Sequence, residues 1–227
     1  MVAMTTMAAP TLITGSSASL STQTWWSDLH EMIISAFQRK DIQAFPPTWT
    51  RLNSDPALGA KGLAEELGPH GQLVVVFADS KPVACSGILP FRGEDWINEI
   101  RSADSEAQAA NGEVTKSSLH PQAQDATKAV MDWEICCFCV HPSYRKRGLG
   151  RLLLDSLSDL SKLKGGERLI ANYSIEETGD FWPSIGFTQQ IGTGSVLEKG
   201  FTHTPGMEGL REDIHFKMSA KTLQKLA

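Results

Sequence analysis

Apolar residues along the chain fall first at helical intervals. From Thr22 onward Trp25, Leu29, Met32, Ile33 and Phe37 recur three or four residues apart, which predicts one helix with Ser21 or Thr22 as its N-cap. A turn at Asn53 to Pro56 precedes a second, shorter helix at Leu58 to Leu67, ended by Gly68-Pro69. The period then changes. Leu73-Val74-Val75-Val76-Phe77 is a β-branched run, and the turn Asp79-Ser80-Lys81-Pro82 joins it to Val83 to Leu89 as a hairpin. Farther on, Ala129 to Val140 predicts a strand. Leu152, Leu153, Leu157, Leu160 and Leu163 form one stripe of a helix stopped by Gly165-Gly166. A strand at Arg168 to Tyr173, a short helix at about Asp180 to Ile185 closed by Gly186, a strand from Phe187 and a last strand at Asp213 to Met218 complete the order.

Residues 92 to 126 break this texture. They are rich in Ser, Ala, Gln, Asn and acidic residues, with almost no large apolar side chain after Ile100. They read as a polar insertion between two strands, a lid or a disordered segment. Residues 1 to 20 read as a partly flexible N-terminal segment with a short strand at Thr11 to Thr14. Residues 11 to 227 read as a single α/β domain.

Composition narrows the setting. The 227 residues carry 21 Lys+Arg against 26 Asp+Glu, a net charge of -5. No global positive field is available for nucleic acid or an anionic membrane, so neither is expected as a partner. The longest apolar runs, Leu73 to Ala78 and Ile135 to Val140, are too short to cross a bilayer. Arg39 is the first Arg and no Lys precedes it, so neither a secretory signal nor a transit peptide is expected. Of the four Cys, three (Cys136, Cys137, Cys139) crowd one segment, which suits a reducing compartment, the cytoplasm or the nucleus.

One stretch carries chemistry: Trp133 to Arg151, reading WEICCFCVHPSYRKRGLGR. A strand delivers the chain into a turn with glycines at 148 and 150, which opens a helix. Glycine permits close backbone approach and positive φ. The first helical turn leaves free N–H groups and a partial positive charge, which together bind an anion. Arg145, Lys146, Arg147 and Arg151 add positive charge around it. The design suits a pyrophosphate. No Gly-Lys-Ser/Thr follows and GxGxxG is absent, so it is neither a Walker loop nor a dinucleotide fingerprint.

The array Val140-x-Pro142-x-x-Arg145-x-x-Gly148-x-Gly150 ahead of a leucine-rich helix resembles the acetyl-CoA signature of the GNAT N-acetyltransferases. Phe181-Trp182-Pro183-Ser184-Ile185-Gly186-Phe187 is similar to that family's downstream Phe-Tyr-x-x-x-Gly-Phe. The resemblance implies a mixed, mostly antiparallel sheet flanked by helices, with an acetyl-CoA loop between a central strand and the next helix. It implies acetyl-CoA as co-substrate, its pyrophosphate held by the N–H groups of Arg145, Lys146, Arg147, Gly148, Leu149, Gly150 and Arg151. It also implies that Phe138, Cys139 and Val140 pair strand-like with the pantetheine arm.

Acetyl transfer to an amine needs a proton acceptor and a means to stabilise the leaving thiolate. Glu134, on the strand entering the loop, is the candidate base, a place where some histone-type members of the family carry a catalytic Glu; Asp132 is the alternative on the same face. The family's Tyr is here Trp182, an indole that can donate a hydrogen bond but is no proton acid. Tyr173, or less readily Tyr144, would supply a phenol. Cys136-x-x-Cys139 is not expected to bind metal, because strand positions three apart point to opposite faces. A metal site would have to recruit Cys85 and His141, and no metal is expected. Trp25-Trp26 are candidates to line an acceptor pocket. The expected function is acetyl transfer from acetyl-CoA to a primary amine of a small molecule, by direct attack in a ternary complex. Alternatives are a protein lysine or N-terminal acetyltransferase and a non-catalytic acyl-CoA-binding relative. Monomer and homodimer both remain open.

Overall fold

The computed structural model describes residues 17–38, 43–94, 132–202 and 207–224. The strand expected at Thr11 to Thr14, nearly all of the 92 to 126 insertion and residues 129 to 131 lie outside them. The fold is mixed α/β, with a six-stranded, mostly antiparallel sheet flanked by helices. Its contacts group into two compact units. The first comprises the chain up to Gln38, Thr50–Leu89 and Ile135–Leu160; the second comprises Arg39–Trp49, Pro90–Glu134 and Ser161–Ala227.

In the first unit a 3-10 turn at Ser17–Thr22 leads to α1 (Trp26–Phe37). The helix starts later than its apolar spacing suggests, because Thr22 uses its hydroxyl inside the preceding turn, on the Ser19 carbonyl at 2.9 Å, rather than as a cap. Helix α2 (Pro56–Leu67) starts two residues ahead of the predicted Leu58. Asp55 caps it, accepting from Ala57 N–H at 2.8 Å and Leu58 N–H at 3.0 Å, and Pro56 occupies the position where a missing N–H costs nothing. Gly68, at φ 63°, closes it. β1 (Gln72–Ala78) and β2 (Lys81–Pro90) pair antiparallel through the two-residue turn Asp79-Ser80, both at positive φ (50° and 63°), the geometry that matches strand twist.

β2 is bonded in turn to β3 (Asp132–Val140), and His141 N–H continues the ladder onto the Val83 carbonyl at 2.8 Å. Leu73, Val75, Cys85, Leu89, Cys136, Cys137 and Cys139 pack with α1 and α2 in one apolar core. Val74, Val76, Ala84, Ser86 and Ile88, on the other face, are also buried, which accounts for the near-continuous apolar runs.

Helix α3 (Leu149–Leu163) follows the loop. Its buried stripe is Leu149, Leu153, Leu154, Leu157 and Leu160. Leu163, expected on that stripe, is 77% exposed, since it sits in the last turn where Gly165 already turns the chain away.

The second unit carries β4 (Arg168–Ser174), β6 (Ile214–Thr222) and β5 (Gln189–Leu197) side by side, β6 antiparallel to both neighbours. Two short helical turns, α4 (Ile175–Thr178) and α5 (Phe181–Ser184), follow β4. Asp180 makes no side-chain cap to α5; Pro183 fits because it still lies in the first turn, where N–H groups are unpaired. Its small cores are Ala44, Phe45, Leu197, Leu210 and Ile214, and Ile170, Ile191, Met218 and Ala220.

The α1–α2 contact has almost no slack. His30 is buried with Nε2 at 2.8 Å from the Asn53 carbonyl, and a Cβ on Gly59 would lie 2.8 Å from that ring. Gly62, one turn on in the same helix, has nothing within 4 Å of its would-be Cβ. Gly59→Ala should therefore destabilise the protein by about 1–3 kcal/mol through overpacking. Gly62→Ala should stabilise it by up to about 1 kcal/mol through helix propensity. Chemical denaturation of the two variants checks the opposite signs.

Candidate active site

β3 ends at Val140, and the backbone then makes a 3-10 turn, Pro142–Tyr144, whose N-terminal neighbour His141 accepts the Ser143 N–H on Nδ1 at 3.2 Å. Tyr144 meets the His141 ring edge-on at 5.7 Å and carries the Arg147 guanidinium 4.9 Å above its own ring. Lys146 (φ 61°) and Gly148 (φ 81°) both take the left-handed conformation, which curls successive N–H groups toward one side. The Leu152 N–H bonds the Gly148 carbonyl at 3.0 Å, opening the α3 ladder. The N–H groups of Leu149, Gly150 and Arg151 precede that bond, so the helix itself offers them no partner. A fifteen-residue helix puts its positive end there. Space for a ligand is present at Gly148, where an added Cβ would meet nothing within 4 Å; at Gly150 it would only touch the Phe138 ring at 3.8 Å.

The predicted cofactor-binding side chains divide. Arg145, though exposed, folds back over the loop and holds it. Its N–H bonds the Pro142 carbonyl at 3.4 Å, its Nε the Val140 carbonyl at 3.4 Å, and its Nη2 the Ala36 carbonyl at 3.1 Å. Ala36 lies in the last turn of α1, so Arg145 satisfies an orphan helix carbonyl. Lys146, Arg147 and Arg151 stay at the surface, Arg151 beside Asp155 at 3.5 Å. Phe138 and Val140 are half-buried, and Cys139 points into the core.

In the second unit, the start of β3 carries two ion pairs. Glu134 is 1% exposed, and both its oxygens accept from Arg92: Nε donates to Oε2 at 3.0 Å and Nη2 to Oε1. Asp132 is gripped the same way by Arg168, at 2.8 and 2.5 Å, and this contact raises the Arg168 pKa. Arg92 is the partner that sequence reasoning missed. It lies 42 residues from Glu134, in a segment with no periodicity to single it out. Tyr173 is buried, its hydroxyl 3.3 Å from Ser219 Oγ and its ring stacked at 6.1 Å on Trp182. Trp182 in turn meets Phe187 edge-on at 5.1 Å, so the indole in the Tyr position of the motif is part of an aromatic core. Asn172, also on β4, has a buried Oδ1 with no hydrogen-bond partner among the described residues, a second residue no motif flagged. Glu176 and His215 pair at 2.7 Å; burial opposes, but hydrogen bonds to the carboxylate prevail and lower the Glu176 pKa.

The other candidates resolve differently. Trp26 is buried and donates Nε1 to the Pro56 carbonyl at 2.8 Å, while Trp25 packs edge-on against Phe77 at 6.0 Å; both belong to the α1 packing. The strand alternation expected to separate Cys136 from Cys139 fails, because Cys137 has φ 47° and bulges the strand. All three sulfurs join the same core, and Cys137 and Cys139 come together with Cys85, whose Sγ is 3.5 Å from that of Cys139. Hydrogen bonds from Cys139 and Cys85, then the nearby charge of Arg51, hold the Cys137 thiol well below its ordinary range against the effect of burial. His141 stands outside this group.

Comparison with known proteins gives the lineage. No curated protein sequence matches the chain. Among solved structures, a GCN5-related N-acetyltransferase from Rhodopseudomonas palustris superposes with a TM-score of 0.54 at 13% identity, covering 97% of this chain and 100% of that one. The ribosomal-protein-S18-alanine N-acetyltransferase of Escherichia coli gives 0.51 at 14% identity, covering 96% of each chain. The yncA structure of Salmonella typhimurium, solved with its cofactor acetyl-CoA, gives 0.50 at 16% identity, covering 97% of each. These likenesses establish the fold. The model of the acetyltransferase (GNAT) family matches residues 26–178, more than half of the sequence, and the chain belongs to that family of acyl-CoA-dependent N-acetyltransferases.

Proposed function

We propose that this protein transfers the acetyl group of acetyl-CoA to a primary amine of a small molecule, by direct attack in a ternary complex. The observation that carries the reading is the turn into α3. Lys146 and Gly148 at positive φ present N–H groups beside the helix's own leftover donors, with open space at Gly148. Such a cradle takes a pyrophosphate on fixed dipoles, with Lys146, Arg147 and Arg151 as surrounding charge. Acetyl-CoA would supply the thioester, and Phe138 to Val140 would offer backbone to the pantetheine arm. The net charge of -5 accords with a cationic acceptor.

Glu134 is proposed to receive the amine's proton through water. Each carboxylate oxygen accepts more than one hydrogen bond, so the pair with Arg92 fixes the group and leaves lone pairs for a water. The neutral amine nitrogen forms the amide bond as the carbon–sulfur bond breaks; the proton it releases passes through that water to Glu134, while the departing thiolate takes a proton from a phenol, which is restored by exchange with solvent. Tyr173 is proposed as the donor toward sulfur, its hydroxyl aligned by Ser219.

Three measurements test this. Coenzyme A release from acetyl-CoA should appear with one class in a panel of small primary amines; release only with a lysine-bearing or N-terminal peptide would move the acceptor to protein. Gly148→Asp should abolish acetyl-CoA binding by calorimetry, since it strains the turn and puts an anion in the cradle; affinity within a few-fold of wild type would sink the assignment of the turn. Glu134→Gln should lower kcat about 100-fold or more, with KM for acetyl-CoA nearly unchanged. It should also lower the thermal midpoint, because a buried ion pair is broken. A lowered midpoint with wild-type kcat would leave Glu134 a purely structural role.

A further inference from the structure

From the side-chain cluster of Cys85, Cys137 and Cys139 in the core of the first unit, we infer that this protein has a site for one soft, low-coordinate d10 cation, monovalent copper, ligated by three cysteine sulfurs. The three Sγ atoms all lie within 4.8 Å of one another, and those of Cys85 and Cys139 are 3.5 Å apart. Metal–sulfur bonds of about 2.3 Å in a trigonal or tetrahedral arrangement separate their sulfurs by roughly 4 Å, so the trio brackets the required spacing. At 3.5 Å the sulfurs are unbonded, and all of the chain's cysteines are free thiols.

Backbone geometry brings the three together. Cys85 comes from β2 and the other two from its neighbour β3, where Cys137 and Cys139, two positions apart, share a face by strand alternation. Cys136, in the same run, stays out: its sulfur lies over Gly87, 2.7 Å from where a Gly87 Cβ would be. The donor set selects the ion. Three sulfurs with no carboxylate or imidazole suit a thiophilic metal. Zinc is almost always four-coordinate in a structural site, and among the described residues no fourth Cys, His, Asp or Glu ligand atom joins the trio. All three cysteines are buried in an apolar cluster, a setting poor in the polar partners that a completing water needs. Arg51, whose charge acts on Cys137, offsets part of the negative charge that a tri-thiolate complex carries. Cys139 lends only backbone to the proposed pantetheine contact, so the side-chain site and the cofactor site are chemically separate.

The full chain, reduced and anaerobic, is titrated with Cu+ delivered by a chromophoric Cu+ chelator. One equivalent should leave the chelator, with sulfur-to-copper charge-transfer absorption and a raised thermal midpoint, since the ion binds only the folded trio. Cys85→Ala and Cys139→Ala should each lower affinity on the order of 100-fold, and Cys136→Ala should change it less than about threefold. The inference is overturned if the wild-type chain takes no Cu+, if Cys136→Ala weakens binding as much as Cys139→Ala, or if Zn2+ binds more tightly than Cu+. Should a variant fail to fold, X-ray absorption on the copper-loaded wild type decides: a three-sulfur shell supports the site, and any other shell overturns it.

Discussion

The N–H groups that α3 cannot bond within itself are the constraint around which this chain is arranged. A helix that begins directly after a strand leaves its first donors facing outward, and in an apolar setting those donors would be costly. Here they open onto exposed backbone at Gly148, beside two residues held at positive φ. The rest of the loop exists to keep that conformation. Pro142 stiffens the 3-10 turn, Arg147 lies over Tyr144, and Arg145 ties the loop to the Val140 and Ala36 carbonyls. Arg145 thus does two things at once, bracing the loop while capping α1.

The same strand that ends in the loop begins with buried charge. Asp132 and Glu134 each face a guanidinium that grips both oxygens. An isolated carboxylate as buried as Glu134 would be prohibitive, so Arg92 is a condition for the strand; Asp132 is half-buried, and Arg168 serves there to hold it in place. A bidentate arginine also fixes where the remaining lone pairs point, which a lysine's single ammonium would not. Fixing of that kind suits the role proposed for Glu134. The phenol of Tyr173, by contrast, is positioned by stacking on Trp182 and by one hydroxyl contact, a looser arrangement.

What could be read from the sequence was local. The glycine turn, the β1–β2 hairpin and the two early helices follow from spacing within a dozen residues, and the structure has them with ends moved by a few positions. The GNAT membership was legible for the same reason: its motif is one uninterrupted stretch. Arg92 was not, because nothing in a polar segment marks one arginine as the partner of a glutamate 42 residues on. Leu163 was misplaced because periodicity takes no account of where a helix leaves the core. The bulge at Cys137 escaped notice because cysteine carries no signal for positive φ, unlike the glycine at 148.

That bulge changes how the cysteine run should be understood. Treated as regular strand, Cys136 to Cys139 distributes its sulfurs over two faces, and small apolar packing is a sufficient account. With Cys137 turned, the whole run instead meets a single core beside the Arg51–Glu66 pair, bonded at 2.5 Å, and there Cys137 and Cys139 join Cys85 as a trio of polarizable side chains. A bulge that only relieved strain would need no sulfur, and an aliphatic residue there would bury more apolar area without leaving weak donors to be satisfied. The hydrogen bonds among the thiols are therefore a partial solution to a problem the sequence itself creates. A soft cation would complete it, because it bonds the three sulfurs simultaneously where S–H donors can only do so in pairs.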